Sequence, residues 1–258
     1  MTTKSIKQRL KSGEKLYGGW IEMFSPIGAE IMALSGYDLV MIDLEHGPGS
    51  FMDAIGMMQA TGQHHCPALI RTSSNSPADL KRTLDIGPAG IMVPNIRNVQ
   101  EAEALVDSCR YGPRGSRGAA PVLIRGSDYG QNIQGYGDLM NDDFLLIAQI
   151  ESLEAVEQID AIAAVDGIDM LFIGPCDLSG TVGELSQYDS PAFRDAFERT
   201  EKATLAGGKL LGSITFASWD AKRLYDNGHS LILSGADSLL LKNAALADVS
   251  ELKKAAGR

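Results

Sequence analysis

Residues 145–177 read LLIAQIESLEAVEQIDAIAAVDGIDMLFIGPCD. Two short runs, Leu145–Glu151 and Asp169–Pro175, are apolar on consecutive positions, as strands buried on both faces must be. Between them Leu153, Val156, Ile159, Ile162 and Ala163 recur three and four apart, which predicts a helix over Leu153–Val165. Strand, helix and strand in so short a span make a parallel βαβ unit. The first strand ends Gln149-Ile150-Glu151 and the second Gly174-Pro175-Cys176-Asp177, so two carboxylates 26 residues apart emerge side by side at one sheet edge. Adjacent carboxylates repel unless a cation lies between them, and oxygen ligands on rigid neighbouring strands suit a hard divalent ion.

Outward from this unit the pattern repeats. Further runs are Leu16–Met23, Leu39–Glu45, Pro67–Thr72, Gly90–Pro94, Lys209–Thr215 and Ser230–Gly235, which brings the strands to eight. Helical periods separate them. Over Asn98–Arg110 the apolar positions are Val99, Ala102, Leu105, Val106 and Cys109, and Ser76-Pro77 is a helix start. Eight strand–helix units in about 250 residues fit a (β/α)8 TIM barrel, one domain over residues 1–258. An open doubly wound sheet is the alternative, weakened because no Gly-x-Gly-x-x-Gly follows the first strand. The longest irregular stretch, Tyr111–Asp143, is read as a lid, an insertion or a subunit contact.

Composition narrows the function. The chain has 258 residues, 44% hydrophobic and 22% charged, with a formal net charge of −10. Without a basic face it does not displace counterions from phosphates, which argues against nucleic acid. No stretch reaches the roughly 18 apolar residues of a membrane span. The polar start lacks the apolar core of a secretory signal, and three cysteines fit neither a disulfide framework nor a zinc motif. The expectation is a cytoplasmic protein with reduced thiols.

A barrel carries its active site at the C-terminal ends of its strands. The second strand ends Asp43-Leu44-Glu45-His46, where a carboxylate near an imidazole fixes its tautomer and holds it as a base; a surface turn is the bland reading. The third ends in Arg71, whose planar fork suits a substrate carboxylate or oxo acid, or else an ion pair with Glu45 or Glu151. In the fifth, Gln149 shares a face with Glu151. In the sixth, Asp177 is either a second metal ligand or a helix N-cap, and Cys176, placed to be a ligand or nucleophile, is read in preference as a packed small residue beside the site. His64, His65 and His229 fall on the opposite, structural face. No lysine stands at a strand C-terminal end, so Schiff-base chemistry is excluded and carbonyl chemistry needs a metal as electron sink.

Taken in order, Asp43-Leu-Glu45-His46-Gly, Arg71, Arg110-Tyr-Gly-Pro-Arg-Gly-Ser-Arg117-Gly118, Gln149-Ile-Glu151 and Gly174-Pro-Cys-Asp177-Leu-Ser resemble the HpcH/HpaI aldolase family, from Tyr17 to about Ala245. That family comprises metal-dependent, class II pyruvate aldolases on a phosphoenolpyruvate/pyruvate-type barrel, among them 4-hydroxy-2-oxoheptanedioate and 2-dehydro-3-deoxyglucarate aldolases. The resemblance implies that Glu151 and Asp177 hold Mg²⁺, Mn²⁺ or Co²⁺. It implies that His46 is the catalytic histidine and Asp43 the aspartate orienting it. Arg71, Gln149 and the backbone amides at Cys176 and Asp177 then meet the oxo acid. It further implies a homo-oligomer, commonly a hexamer. Cys176 stands where the family usually has alanine, and Gly112-Pro113 where it often has two prolines. The expected reaction is reversible cleavage of a 4-hydroxy-2-oxo acid to pyruvate and an aldehyde. A lyase for acyl-CoA hydroxy acids, a decarboxylating enolate-forming enzyme on the same scaffold, and a non-catalytic barrel that binds an oxo acid remain as alternatives.

Overall fold

The structure is a computed structural model and describes residues 4–258. Eight parallel strands close into a barrel in sequence order: β1 (Leu16–Ile21), β2 (Leu39–Asp43), β3 (Ala68–Arg71), β4 (Gly90–Val93), β5 (Leu145–Ile150), β6 (Met170–Ile173), β7 (Leu210–Ile214) and β8 (Leu231–Ala236). Each lies within a predicted run or one residue beyond it, and closure of β8 on β1 rules out the open sheet. Most strand residues are fully buried, since the bore fills one face and the helices cover the other.

The bore is packed by Leu39, Met41, Leu69, Met92, Leu145, Ile147, Met170, Phe172, Leu231 and Leu233. Ile6 and Leu10 of the first helix, Ile6–Lys11, join this core and plug the end where the strands begin. Lys7 anchors that plug, 2.8 Å from Asp169 and donating to the Phe144 carbonyl at 3.3 Å.

The predicted helix starts appear as capped. Ser76 accepts from the Asp79 N–H before Pro77–Asp85, and Asn98 accepts from the Glu101 N–H before Val99–Cys109. The expected single helix over Leu153–Val165 is instead two, Leu153–Glu157 and Ile159–Ala164. Between them Gln158 sits at φ −105°, ψ 13°, in the sparsely allowed bridge region, which breaks the i→i−4 ladder.

The stretch 111–143 is not a lid. It leaves the end of helix Val99–Cys109 and enters β5, both at the face opposite the functional end. Arg117 pairs with Asp85 at 2.7 Å, Arg125 donates to the Ile86 carbonyl at 2.7 Å, and Tyr136 donates to the Leu84 carbonyl at 3.1 Å. It is an insertion folded under the β3–β4 connection. His229 is buried against Glu201 at 2.9 Å, and His64 pairs with Glu30 at 3.2 Å, both away from the strand C-termini as expected. No described helix is long and apolar enough to cross a membrane.

The last helix, Asp237–Ala255, departs from barrel convention. Only its first residue is buried, and Leu239, Leu240, Leu241, Leu246, Val249 and Leu252 are exposed. Ile27, Ile31 and Leu34 on helix Pro26–Leu34 are exposed as well.

Candidate active site

The in-register pairing of β2 with β3 sets Asp43 directly beside Arg71. The Arg71 Nε donates to Asp43 Oδ1 at 2.9 Å and its Nη2 to Oδ2 at 2.6 Å, a bidentate pair with the aspartate fully buried. Arg71 Nη1 lies 3.1 Å from Glu45 Oε2, and its guanidinium stacks 4.5 Å from the Trp20 ring centroid. Burial opposes the arginine's charge, but Asp43 and then Glu45 and Glu151 keep its pKa above the usual value. A guanidinium has five N–H groups. Two are hydrogen-bonded to Asp43 and Nη1 is ion-paired with Glu45, so both terminal nitrogens keep an N–H for a ligand.

This geometry corrects the expected partner of Asp43. Both of its oxygens serve Arg71, and Oδ1 also accepts the backbone N–H of Glu45 at 3.0 Å and of His46 at 3.3 Å. Asp43 therefore fixes the arginine and the turn that carries His46, rather than the imidazole. The cause is register: the arginine opposite it on β3 offers a stronger, two-point partner than a ring one loop away. His46 is exposed at the mouth of the site.

Across the barrel, Gly174 N–H donates to the Ile150 carbonyl at 3.0 Å, which carries the β5–β6 ladder to the rim and sets Glu151 next to Gly174. Glu151 is 3% exposed. Its Oε1 accepts from the Asn95 N–H at 2.8 Å and its Oε2 from Gln149 Nε2 at 2.5 Å. Each oxygen keeps a second lone pair. Burial pushes Glu151 up to about 7; the Asn95 N–H works against that rise, while Asp177 and Glu45 add to it. Gly174 leaves room for both carboxylate and amide: a Cβ there would lie 2.6 Å from Glu151 Oε2 and 2.8 Å from Gln149 Nε2, so a larger residue must displace those side-chain ends.

The sixth strand runs into helix Pro175–Thr181, whose N-cap is Gly174. Asp177 is thus not the N-cap but the third residue of the first turn, exposed, with no hydrogen bond to its carboxylate among the described residues. The first intrahelical donor is Leu178, so the N–H groups of Cys176 and Asp177 have no intrahelical acceptor. Cys176 is exposed rather than packed, its Sγ 3.4 Å from the Tyr188 hydroxyl.

These residues converge on one cavity of about 380 Å³, lined by His46, Arg71, Gln149, Gly174, Cys176 and Asp177 together with Trp20, Glu22, Thr215 and Ser234. Glu151 and Asp43 stand just behind its wall. A larger hollow of about 700 Å³ lies at the other end of the barrel around Lys7, Arg110 and Lys209, whose cationic groups are already engaged by carbonyls or by Asp169. The sequence-predicted His46, Arg71, Gln149, Cys176 and Asp177 all line the smaller one.

The donor set suits a divalent ion. Glu151 and Asp177 repel one another, and the buried Gln149 Oε1 has no hydrogen-bond partner. Among the described residues no three His, Cys, Asp or Glu side chains form a ready cage. Two carboxylates with the remaining positions left to water and substrate is the pattern of Mg²⁺ or Mn²⁺ rather than zinc.

The sequence reading missed Asn95, the clearance that Gly174 gives Glu151 and Gln149, and the rim residues Trp20, Glu22, Thr215 and Ser234. Asn95 carried a faint signal. It stands at φ +58°, a left-handed conformation that asparagine tolerates better than most, and so aims its N–H at Glu151.

The sequence profile of the HpcH/HpaI aldolase/citrate lyase family matches residues 16–244. A hydroxypyruvate/pyruvate aldolase of Delftia acidovorans is 35% identical over 96% of this chain and 92% of its own length. A 4-hydroxy-2-oxo-heptane-1,7-dioate aldolase of Escherichia coli is 33% identical over 93% of this chain and 92% of its own. The crystal structure of a family member from Burkholderia cenocepacia superposes with a TM-score of 0.90 at 32% identity, covering 97% of this chain and 100% of that one.

Proposed function

The chain belongs to the HpcH/HpaI aldolase/citrate lyase family, and from that premise we propose that it is a divalent-metal-dependent aldolase, reversibly cleaving a 4-hydroxy-2-oxo acid to pyruvate and an aldehyde. The observation that carries this reading is the buried Glu151 beside Asp177 and the unpartnered Gln149 oxygen, across one cavity from an arginine with two free donors.

Glu151 and Asp177 would hold the ion, Mg²⁺, Mn²⁺ or Co²⁺. When bound it supplies a Lewis acid that makes the oxo group a better electron acceptor. The chain's own residues do the rest. The free amides of Cys176 and Asp177 receive the substrate carboxylate, and Gln149 Oε1 accepts from a water that borders the oxo acid at the same edge. The two unengaged N–H groups of Arg71 face charge that grows on the oxo oxygen, and fixed donors of that kind are often the largest catalytic contribution. Asp43 and Glu45 keep that fork from turning away. His46 takes the proton of the 4-hydroxyl. The electrons of that O–H bond form the aldehyde carbonyl, the C3–C4 bond breaks, and its pair becomes the enolate of pyruvate. Return of a proton to C3 completes pyruvate.

A CoA-ester substrate finds little room. Arg71 is the only lysine or arginine that lines the cavity among the described residues, so no cluster of cations stands there for a CoA pyrophosphate. A purely binding role leaves the histidine base without a purpose. We further propose that the chain works as one barrel domain in the cytoplasm and as a homo-oligomer. The apolar, uncovered Asp237–Ala255 helix and the exposed Ile27, Ile31 and Leu34 support assembly with further copies. Light scattering measures that state directly.

The test is pyruvate release from a panel of 4-hydroxy-2-oxo acids with Mn²⁺ and after chelation. Release that needs the ion is expected. No release from any member, or undiminished release in excess chelator, overturns the assignment.

A further inference from the structure

The cavity is asymmetric. The groups that would bind the oxo acid come from strands β2, β3, β5 and β6, whereas the remaining wall comes from the ends of β7, β8 and β1, next to one another around the rim. That wall carries Thr215, Ser234 and Glu22. The Thr215 and Ser234 hydroxyls lie 3.0 Å apart and share one hydrogen bond. Such a pair uses one donor and one acceptor, so one O–H and several lone pairs remain for a ligand. Both residues are half-buried, partly sheltered from water yet reachable. Glu22 is held in place by the Ser238 hydroxyl at 2.9 Å, and its backbone N–H donates to Asp237 at 2.9 Å.

Charge sorts what this wall accepts. Arg71, the cavity's one cation of lysine or arginine type, is engaged by Asp43 and Glu45, while Glu22 and Asp177 are acidic. On this wall a carboxylate of the aldehyde would meet Glu22, while Arg71 and the ion-binding acids stand on the other arc, where the oxo acid is held. A hydroxyl on the aldehyde would meet the one spare O–H and the free lone pairs of the Thr215–Ser234 pair. One hydrogen bond gained or missed there is worth a few-fold to about tenfold in rate, which makes hydroxylated and plain aldehydes distinguishable.

Building on the aldolase reading above, we infer that the aldehyde partner is a short, uncharged hydroxyaldehyde, its hydroxyls bound by Thr215 and Ser234, and that Glu22 turns away aldehydes bearing a second carboxylate. The relative from E. coli, by contrast, is named for a dicarboxylic substrate.

The Mn²⁺-loaded enzyme is assayed with pyruvate and three aldehydes: glyceraldehyde, propanal and succinic semialdehyde. Exchange of the pyruvate methyl protons in D₂O is followed in parallel, since it reads enolate formation without any aldehyde. We expect kcat/KM for glyceraldehyde to exceed that for succinic semialdehyde by tenfold or more. Thr215→Val and Ser234→Ala each lower the glyceraldehyde-to-propanal ratio of kcat/KM by about five- to tenfold, the effect of one lost hydrogen bond. Glu22→Gln raises the succinic semialdehyde-to-glyceraldehyde ratio. A preference for the semialdehyde, or substitutions that leave the glyceraldehyde-to-propanal ratio where it was, overturns the inference while methyl exchange leaves the aldolase reading intact. Absence of methyl exchange in the unaltered enzyme sinks both.

Discussion

The rim from β2 to β6 and the rim from β7 through β8 to β1 are built on opposite plans. In the first, side chains are ionic and mutually fixed: Asp43 and Glu45 hold Arg71, Asn95 and Gln149 hold Glu151, and Gly174 leaves the clearance that holding requires. In the second, the polar contacts are a neutral hydroxyl pair and one carboxylate, set among Ile214 and Leu233. On the reading proposed above, one scaffold separates reaction from selection. Chemistry that must stabilise growing charge needs groups whose positions are over-determined. Choice of partner needs only a few contacts that can change without disturbing the charged set.

The contrast breaks most visibly if the charged arc is disarmed. Glu151→Gln and Asp177→Ala are each expected to lower kcat for pyruvate release by about 10³-fold or more, with circular dichroism and thermal midpoint close to those of the unaltered protein. Added Mn²⁺ raises the midpoint of the unaltered chain and not of the variants, because an ion that binds only the folded state stabilises it. Asp43→Ala tests whether the arc is over-determined. It leaves Arg71 buried without its two-point partner, and removing one member of a buried pair costs about 3–5 kcal/mol. Urea denaturation reads the loss; an Asp43→Ala chain as stable as the parent removes the argument for a locked fork.

Gly174→Ala sharpens the comparison further. Its Cβ displaces Glu151 or Gln149, so kcat is expected to fall by about 10- to 100-fold, while a Gly→Ala change in the opposite arc at Gly235 acts through its φ of +73° on stability rather than on the charged set. Steady-state kinetics beside thermal melts separate the two. The smallest effect is on pH. Glu151 titrates near 7 in the fold and near 4.3 in the unfolded chain, so between those values only the unfolded chain has released the proton. Stability of the metal-free protein therefore declines as pH rises through this window and is flat above it, by on the order of 1 to 3 kcal/mol. Urea midpoints at pH 5 and pH 7.5 in chelator measure the decline, which Glu151→Gln abolishes.

The eight strands were legible because a strand buried on both faces is written as consecutive apolar residues, and the charged arc because acids and arginine at such ends cannot be there for packing. Pairing was not legible. That Asp43 faces Arg71 depends on β2–β3 register, which the sequence of either strand leaves open. The break at Gln158 has no proline or glycine to announce it. The placement of residues 111–143 depends on contacts with Asp85, Ile86 and Leu84, far off in the chain. Thr215 and Ser234 carry no signature at all, since threonine and serine occur throughout any surface and only closure of β7 on β8 brings this pair together.

One contact has a practical use. The chain holds two tryptophans, and they live in very different settings. Trp20 lies under the Arg71 guanidinium at the edge of the reaction chamber, whereas Trp219 is sealed in an aromatic cluster with Phe197 and Phe216. The enzyme thus contains its own optical gauge. A ligand that settles against the cavity wall beside Trp20 changes the emission of one fluorophore while the other stays constant as an internal reference, so occupancy can be followed in real time without a label.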